Sequence, residues 1–144
     1  MEAYAGRRAM EERARLLADR GRKTDLFKIM RERERTNLSS GVWAKALTHG
    51  DELASEVIER AVSALGAGIA SAVNLLDIEL VVIGGGLGVR FGEPMAERIF
   101  AAMRPHLFFD DRPPVVRVAA LGDLGGAIGA ALLSERLGPV AQTA

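Results

Sequence analysis

The chain has 144 residues, of which 49% are apolar and 26% are charged, and this balance indicates a globular domain rather than a disordered chain. Nineteen basic side chains balance nineteen acidic ones, so the net charge gives no case for binding nucleic acid or an anionic membrane. Cysteine is absent, which excludes disulfides and thiolate metal sites, and the two histidines, His49 and His106, lack the spacing of metal ligands. We therefore expect this chain alone to hold no metal ion.

The first residues lack the features of a secretory signal. Residues 1–22 carry charges of both signs and contain no apolar stretch of the kind that a signal peptide needs. No apolar run elsewhere approaches the length of a membrane span. The expected location is the cytoplasm, with no membrane partner.

Three helices are predicted in the first 50 residues. Their spans are residues 2–19, 25–33 and 42–48, with Gly21 and Gly50 as stop signals and Ser39 or Ser40 as the cap of the third. The charges along this segment alternate in sign, including the run at residues 31–35, which indicates a solvated surface and not a nucleic-acid-binding arm.

A long helix is predicted from Asp51 to Leu76, because apolar residues recur there at helical spacing. Its second half contains Gly66 and Gly68 within three residues. Glycine in a helix costs about 1 kcal/mol relative to alanine, so this pair indicates close packing against another element. We expect this helix to be central and buried.

The chain is organised around the segment that follows. Leu80–Ile83 is an apolar, β-branched run without polar alternation, which predicts a strand buried on both faces of a sheet. Gly84, Gly85 and Gly86 come next, then an irregular stretch at 87–91, and Pro94 as the first residue of a new helix. A strand, a glycine loop and a helix start can present backbone N–H groups to an anion or a nucleotide. A tight turn that binds nothing has the same pattern.

The rest of the chain predicts a second strand at residues 115–119 and a last helix at 124–137. The start of this last helix is rich in small residues, which indicates a close neighbour there. Two strands joined through a helix predict a right-handed parallel βαβ crossover and an α/β fold. Two strands are too few for a stable sheet of this kind, so another chain or a longer parent should supply more. Because such partners are absent from this chain, we expect apolar surface to be left uncovered. We expect a single domain over 1–144, with a helical segment at 1–50 and a nucleotide-binding α/β core at 51–138.

Several familiar motifs are absent. A dinucleotide-binding fingerprint needs a third small residue, and Val89 or Phe91 stands there in the two registers available. No Gly-Lys-Ser/Thr follows the glycines, which excludes a Walker A loop, and nothing suggests a Ser/His/Asp or Cys/His catalytic set.

The sequence resembles the ROK family (repressors, open reading frames and kinases). The resemblance is carried by Ala-Val-Asn-Leu-Leu-Asp at 72–77 leading into the strand and glycines at 80–86, by Glu-Ala-Tyr-Ala-Gly at 2–6, and by the Gly/Ala-rich segment at 121–131. Among members of the family, the start of the chain is most similar to glucokinases. Nearly all of this chain is covered, but only the C-terminal half or less of the family's length.

The resemblance implies the actin-like (ribonuclease H-like) ATPase fold, of which this chain is the C-terminal lobe. It implies ATP with Mg²⁺ as cosubstrate and transfer of the γ-phosphoryl group to the 6-hydroxyl of glucose or a related hexose. Gly84, Gly85 and Gly86 match the glycines that lie against the nucleotide, and Glu2 matches a glutamate that binds sugar hydroxyls. Without the resemblance, Glu2 is a carboxylate favoured in the first turn of a helix.

The departures from the family also carry expectations. The family's N-terminal lobe, with its phosphate loop and catalytic aspartate, has no counterpart in this sequence, and neither does the cysteine cluster that holds its structural zinc. No catalytic residue and no metal ligand are therefore assigned, and we expect the chain alone to be inactive. The resemblance implies a homodimeric parent. A sugar-sensing lobe of a ROK repressor and a non-catalytic remnant are the alternatives.

Overall fold

The computed structural model describes residues 1–109 and 111–137, which form seven α-helices and two strands. The last residue of the predicted 51–138 core lies outside these ranges. In chain order the elements are α1 (Glu2–Ala5), α2 (Arg7–Asp19), α3 (Leu26–Glu32), α4 (Ser40–Thr48), α5 (Glu52–Leu76), β1 (Leu80–Ile83), α6 (Gly85–Met103), β2 (Val115–Val118) and α7 (Gly125–Leu137). Short 3₁₀ turns at Arg104–His106 and Gly122–Leu124 precede β2 and α7. In these described residues, no helix is both long and apolar enough to cross a bilayer.

The single helix predicted over residues 2–19 was wrong, because the chain breaks at Gly6. Gly6 has an extended ψ of 140° and separates α1 from α2. A Cβ atom there would lie 2.6 Å from the carbonyl oxygen of Glu2, and the Glu2 carboxylate occupies the same space. A glycine is therefore needed at this close approach.

Asp51 fixes the start of α5 and joins it to α3. One carboxylate oxygen accepts a hydrogen bond from the Ala54 N–H at 2.9 Å, as a helix cap does. The other accepts from the Thr24 hydroxyl and the Asp25 N–H, both at 2.7 Å. Because Asp51 is only 8% exposed, these bonds provide the polar partners that a buried carboxylate requires.

The main core lies among α2, α3, α4, the first half of α5 and one side of α6. Its largest fully buried side chains include Trp43, Met10, Leu26, Ile58 and Ile99. The helical segment at 1–50 thus packs directly on α5, so the start of the chain and the glycine loop lie on one scaffold.

The second half of α5 differs from the prediction. Gly66 does pack closely: a Cβ atom there would lie 2.6 Å from the carbonyl carbon of Ala102 in α6. Beyond Ala70 burial ends, and Leu75 and Leu76 are exposed. The helix is central at its N-terminal end only, because nothing in the described part of the chain covers its last turn.

The strands β1 and β2 form a parallel pair, as predicted, with Leu80 opposite Val115 and Ile83 opposite Val118. The prediction that β1 is buried on both faces was wrong for this chain, since Leu80 and Val82 are more than half exposed. Val81 and Ile83 pack towards the helices. Alternation of this kind indicates a sheet with only one covered face.

The helix after the glycines begins earlier than predicted. Residues 87–91 are helical rather than irregular, and α6 starts at Gly85. Gly92, with φ of 61° and ψ of −148°, breaks the helical geometry, and Pro94 then lies near the start of the second segment. Proline is tolerated there because it has no N–H to donate and its φ already suits a first turn.

The small-residue start of α7 has no close neighbour in the described part of the chain, contrary to the prediction. Nothing lies within 4 Å of a Cβ built at Gly126 or Gly129. Several large apolar side chains from the end of α5 onwards are also exposed, namely Leu75, Leu76, Leu80, Val82, Phe108, Phe109, Val115, Leu121, Leu124, Ile128, Leu132 and Leu133. We call these residues the apolar face. Its existence confirms the prediction that apolar surface is left uncovered.

Candidate functional site

The glycine loop joins β1 to α6. Gly84 is extended and caps α6, and Gly85 follows with φ of +78°, a left-handed conformation that favours glycine. No heavy atom lies within 4 Å of a Cβ built at Gly85, so the backbone there borders open space. Because the first N–H groups of a helix have no partner within it, a ligand can approach these amides directly.

The other two glycines have nearer neighbours. A Cβ at Gly84 would lie 3.8 Å from that of Ala119, beyond the end of β2. At Gly86 it would lie 3.7 Å from the Ser40 hydroxyl at the start of α4. The loop is therefore held between the sheet edge on one side and α4 on the other, with Gly85 as its open point.

A cavity of about 500 Å³ adjoins the glycine loop. Its lining includes Gly84, Gly85 and Gly86, apolar side chains of α2, α4 and α5 such as Trp43, and Ser40 as a polar group. Concave and mostly apolar cavities with a few polar groups are typical of small-molecule sites. The size and the open glycine backbone fit a flat ring system or a phosphate chain.

The start of the chain reaches the same cavity, but Glu2 does not line it. Met1, Ala5 and Arg7 are among the lining residues, whereas the exposed Glu2 side chain folds back over Gly6. The structure thus brings the segment around Glu2 and the three glycines to one cavity, while leaving the Glu2 carboxylate outside it.

Glu11 anchors the segment that leads into α4. Its Oε2 accepts a hydrogen bond from the Leu38 N–H at 2.8 Å, and its Oε1 accepts one from Arg15 at 2.6 Å. Burial raises the pKa of Glu11, but the Leu38 N–H and the Arg15 guanidinium outweigh it, so that the pKa lies below its ordinary value. The ionised carboxylate therefore helps to place Leu38 and Ser40, which both line the cavity.

Ser40, Arg7 and Trp43 were not among the residues predicted for the site. Ser40 was considered only as a helix cap, and the structure places it at the first position of α4 beside Gly86. Its hydroxyl also accepts a hydrogen bond from Arg90 Nε at 3.1 Å. No sequence signal could have joined residues 50 positions apart, because their proximity depends on how α4 packs against α6.

The described residues contain no group of three or more His, Cys, Asp or Glu side chains placed to hold a metal ion. Cysteine is absent from the whole sequence. The described part of the chain therefore offers no clustered donor set of the kind that holds a structural zinc ion.

Comparison with known proteins supplies the family. Residues 1–136 match the model of the ROK family. A glucokinase from Aeropyrum pernix is 35% identical over 140 residues, which cover 94% of this chain and 42% of that protein. The N-acetylgalactosamine kinase AgaK of a Shewanella species (strain ANA-3) is 34% identical over 99 residues, which cover 66% of this chain and 30% of that protein.

A solved structure extends the likeness to the fold. The ROK family glucokinase from Streptomyces griseus, crystallised in complex with glucose and AMPPNP, matches with a TM-score of 0.74 at 25% identity. The match covers 94% of this chain and 44% of that one, so the chain spans less than half the length of its relatives. The predicted α/β fold, a part of the actin-like ATPase fold, is confirmed. Since the family model matches almost the whole sequence, the chain belongs to the ROK family.

Proposed function

We propose that this chain is the C-terminal lobe of a sugar kinase that transfers the γ-phosphoryl group of ATP to the 6-hydroxyl of glucose or a related hexose. The observation that carries the proposal is the glycine loop, where Gly85 has φ of +78° and an open backbone beside a cavity of about 500 Å³. Both curated relatives are sugar kinases, and the solved relative contains glucose and AMPPNP. Since the chain spans 42% of the glucokinase from Aeropyrum pernix, the complete reaction belongs to a longer parent.

The three glycines are proposed to contact the nucleotide. Gly85 leaves room for a ligand against the main chain, and the free amides at the start of α6 favour negative charge. Mg²⁺ would arrive with the phosphates of ATP, since Mg²⁺ in kinase sites is held largely by substrate phosphates and waters. What this lobe supplies is one wall of the nucleotide site.

Glu2 is proposed to bind a sugar hydroxyl. Its carboxylate is exposed beside Met1 and Ala5, which line the cavity, so a hexose bound at the cavity mouth is within reach of the same segment. An ionised carboxylate accepts strong hydrogen bonds from hydroxyl groups.

A sugar-sensing lobe of a ROK repressor is the second candidate, and a non-catalytic remnant is the third. Relatives with kinase names favour the kinase. A sensor lobe has no need of a nucleotide, so nucleotide binding distinguishes the first proposal from both of the others.

The test is titration of the 144-residue chain with AMPPNP, followed through the backbone amide signals of the glycine loop by NMR. We expect saturable shifts at Gly84, Gly85 and Gly86. Gly85→Val should abolish them, because a branched side chain would fill the open space and be strained at positive φ.

Gly21→Val is the matched control for this titration. Gly21 also has positive φ, +86°, and nothing within 4 Å of its Cβ position, but it lies away from the cavity lining. This variant should carry the same backbone strain and keep nucleotide binding. Equal AMPPNP affinity in the wild type and a folded Gly85→Val variant, or no saturable shifts in the wild type, would leave the glycine loop as a tight turn without nucleotide contacts.

The isolated chain should not phosphorylate glucose. Phosphoryl transfer requires a residue that orients the attacking hydroxyl and groups that hold the phosphates. In the family these are a catalytic aspartate and a phosphate loop, and this sequence has a counterpart of neither. A coupled assay with glucose and ATP is expected to show no turnover. Activity that co-purifies with the chain through every chromatography step would disprove the proposal that the chain contains only one lobe of the active site.

A further inference from the structure

A second cavity, of about 570 Å³, lies beside the glycine loop and is lined by basic residues. Its lining consists of three arginines and the first residues of α4, namely Arg33, Arg35, Ser39, Ser40, Gly41 and Arg90. The proposed nucleotide contacts do not use these arginines. We call this cavity the arginine pocket.

The arginines approach from two distant parts of the chain. Arg33 and Arg35 follow α3, on either side of Glu34, which has φ of 51° and does not line the pocket. Arg90 extends from α6 and donates to the Ser40 hydroxyl at 3.1 Å. Arg33 donates to the Gly41 carbonyl oxygen at 3.3 Å. The hydrogen bonds to α4 thus hold two guanidinium groups at one place.

Gly41 has no Cβ atom, and this leaves room for the arginine side chains. A Cβ atom there would lie 2.9 Å from Nη1 of Arg33 and 3.9 Å from Cζ of Arg90. The glycine therefore allows two like charges to approach the same point of the backbone. Like charges directed at one point repel each other, and an anion bound between them offsets this repulsion.

The charge of the pocket is not balanced by its neighbours. Elsewhere arginines pair with carboxylates, as Arg15 does with Glu11 and Arg98 with Glu59. None of the ion pairs found in the described residues includes an arginine of this pocket, and no carboxylate lines it. A chain with no net charge thus concentrates three positive charges around one cavity.

We propose that the arginine pocket binds a phosphate group, with Arg33, Arg35 and Arg90 as its ligands and the Ser40 hydroxyl as a further polar contact. Guanidinium groups bind phosphate oxygens through paired N–H donors, which a planar fork suits better than an ammonium group. Ser40 lines both cavities and lies beside Gly86, so the bound phosphate would be next to the glycine loop. The phosphate could belong to the nucleotide itself or to a separate phosphorylated molecule.

The experiment is titration of the 144-residue chain with inorganic pyrophosphate at low salt, followed by NMR of the arginine Nε–H signals. Saturable shifts are expected for the three arginines of the pocket. Arg35→Gln and Arg90→Gln should each weaken binding roughly tenfold, since each removes hydrogen bonds from a charged donor.

Arg31→Gln is the matched control. It removes the same charge from the same segment, but Arg31 does not line the pocket. Pyrophosphate affinity should be unchanged in this variant. Equal weakening in all three variants would mean general charge attraction and would overturn the proposal, as would the absence of saturable binding to a folded wild-type chain at millimolar pyrophosphate.

A second titration separates the two sources of phosphate. If pyrophosphate displaces AMPPNP from the glycine loop, and Arg35→Gln weakens this displacement as it weakens pyrophosphate binding, the pocket takes a phosphate of the nucleotide. If both bind together, it takes a separate phosphorylated molecule, and either result supports a phosphate site. Failure of the nucleotide proposal remains distinguishable, because Gly85→Val leaves the arginines intact and should retain pyrophosphate binding.

Discussion

Glu11 shows how a single carboxylate supports the segment next to the candidate site. Its side chain is only 14% exposed, and it joins α2 to Leu38 through a hydrogen bond of 2.8 Å. The neighbouring Glu12 pairs with Arg8 in the open, where both side chains are more than half exposed. Surface pairs of this second kind contribute little to stability.

Glu11→Gln should destabilise the chain in a pH-dependent manner. Because the folded-state pKa of Glu11 is lowered, its ionised form stabilises the fold above the unfolded value of 4.5, and this contribution is lost as the pH falls through the folded pKa. We expect a loss of about 1–2 kcal/mol near neutral pH, which disappears in strong acid. Urea unfolding across this pH range measures it. Glu12→Gln is the control and should have little effect, and a loss for Glu11→Gln that is independent of pH would contradict the role of the charge.

Residues of the candidate site were predictable from the sequence only where they stand next to one another in one segment of the chain. Gly84, Gly85 and Gly86 stand together after a strong strand, so the sequence marks them as a possible ligand loop. Ser40 and Arg90 carry no such mark, because their meeting depends on tertiary packing. The arginines at 31–35 alternate with glutamates in sequence, which hides the fact that Arg33 and Arg35 share one cavity and Glu34 does not.

At the scale of elements, α5 and α6 meet through small residues. Gly66 faces the backbone of Ala102, and the space between them leaves no room for a methyl group. In α7, Gly126 and Gly129 have open surroundings. A glycine-to-alanine substitution therefore meets a filled space in α5 and an open one in α7.

Gly66→Ala should lower stability, although alanine is the better helix former. Helix propensity alone would favour the change by about 1 kcal/mol. A Cβ atom 2.6 Å from a backbone carbonyl carbon forces the helices apart, at a cost of about 1–3 kcal/mol. Thermal melting measures the difference. Gly129→Ala is the control and should be neutral or stabilising, and a raised melting temperature for Gly66→Ala would rule out the close packing.

Most elements were predictable because their patterns are strong and local. The apolar spacing of α5, the β-branched run of β1 and the parallel pairing of the strands are confirmed. The break at Gly6 was not predictable, since it depends on where the Glu2 carboxylate folds back. The exposure of β1 was not predictable either, because a strand buried within one chain and a strand covered by a separate part of the protein have the same apolar composition.

At the scale of the whole molecule, the chain has a main core, a smaller buried cluster where α5, α6 and β2 meet, and an uncovered apolar face. The core lies among the first five helices and α6, and the apolar face runs from the end of α5 to α7. Exposed apolar surface of this extent is a site of association in most proteins. The relatives are more than twice as long as this chain, and their additional residues are proposed to cover the face.

We therefore expect the purified chain to self-associate, aided by a net charge of zero, or to be only marginally stable. Sedimentation velocity at several concentrations should show species larger than a monomer. Leu132→Glu, at an exposed position of the apolar face on α7, should reduce this association because it places a charge there. Leu16→Glu is the control on α2, where an isolated exposed leucine lies far from the face in sequence. A wild-type chain that remains monomeric at high concentration and melts sharply would refute the expectation.

The apolar face also changes how solvent exposure should be used to judge substitutions. In most proteins an exposed position tolerates a polar residue, because its side chain contacts little besides water. Leu75 is 81% exposed and Val82 is 57% exposed, yet both belong to elements whose outer surfaces are proposed to be covered in a longer parent. A polar residue at either position would make this chain more soluble and would weaken the assembly of the parent. At the positions of the apolar face, we therefore expect polar substitutions to be favourable in the isolated chain and unfavourable in the complete protein.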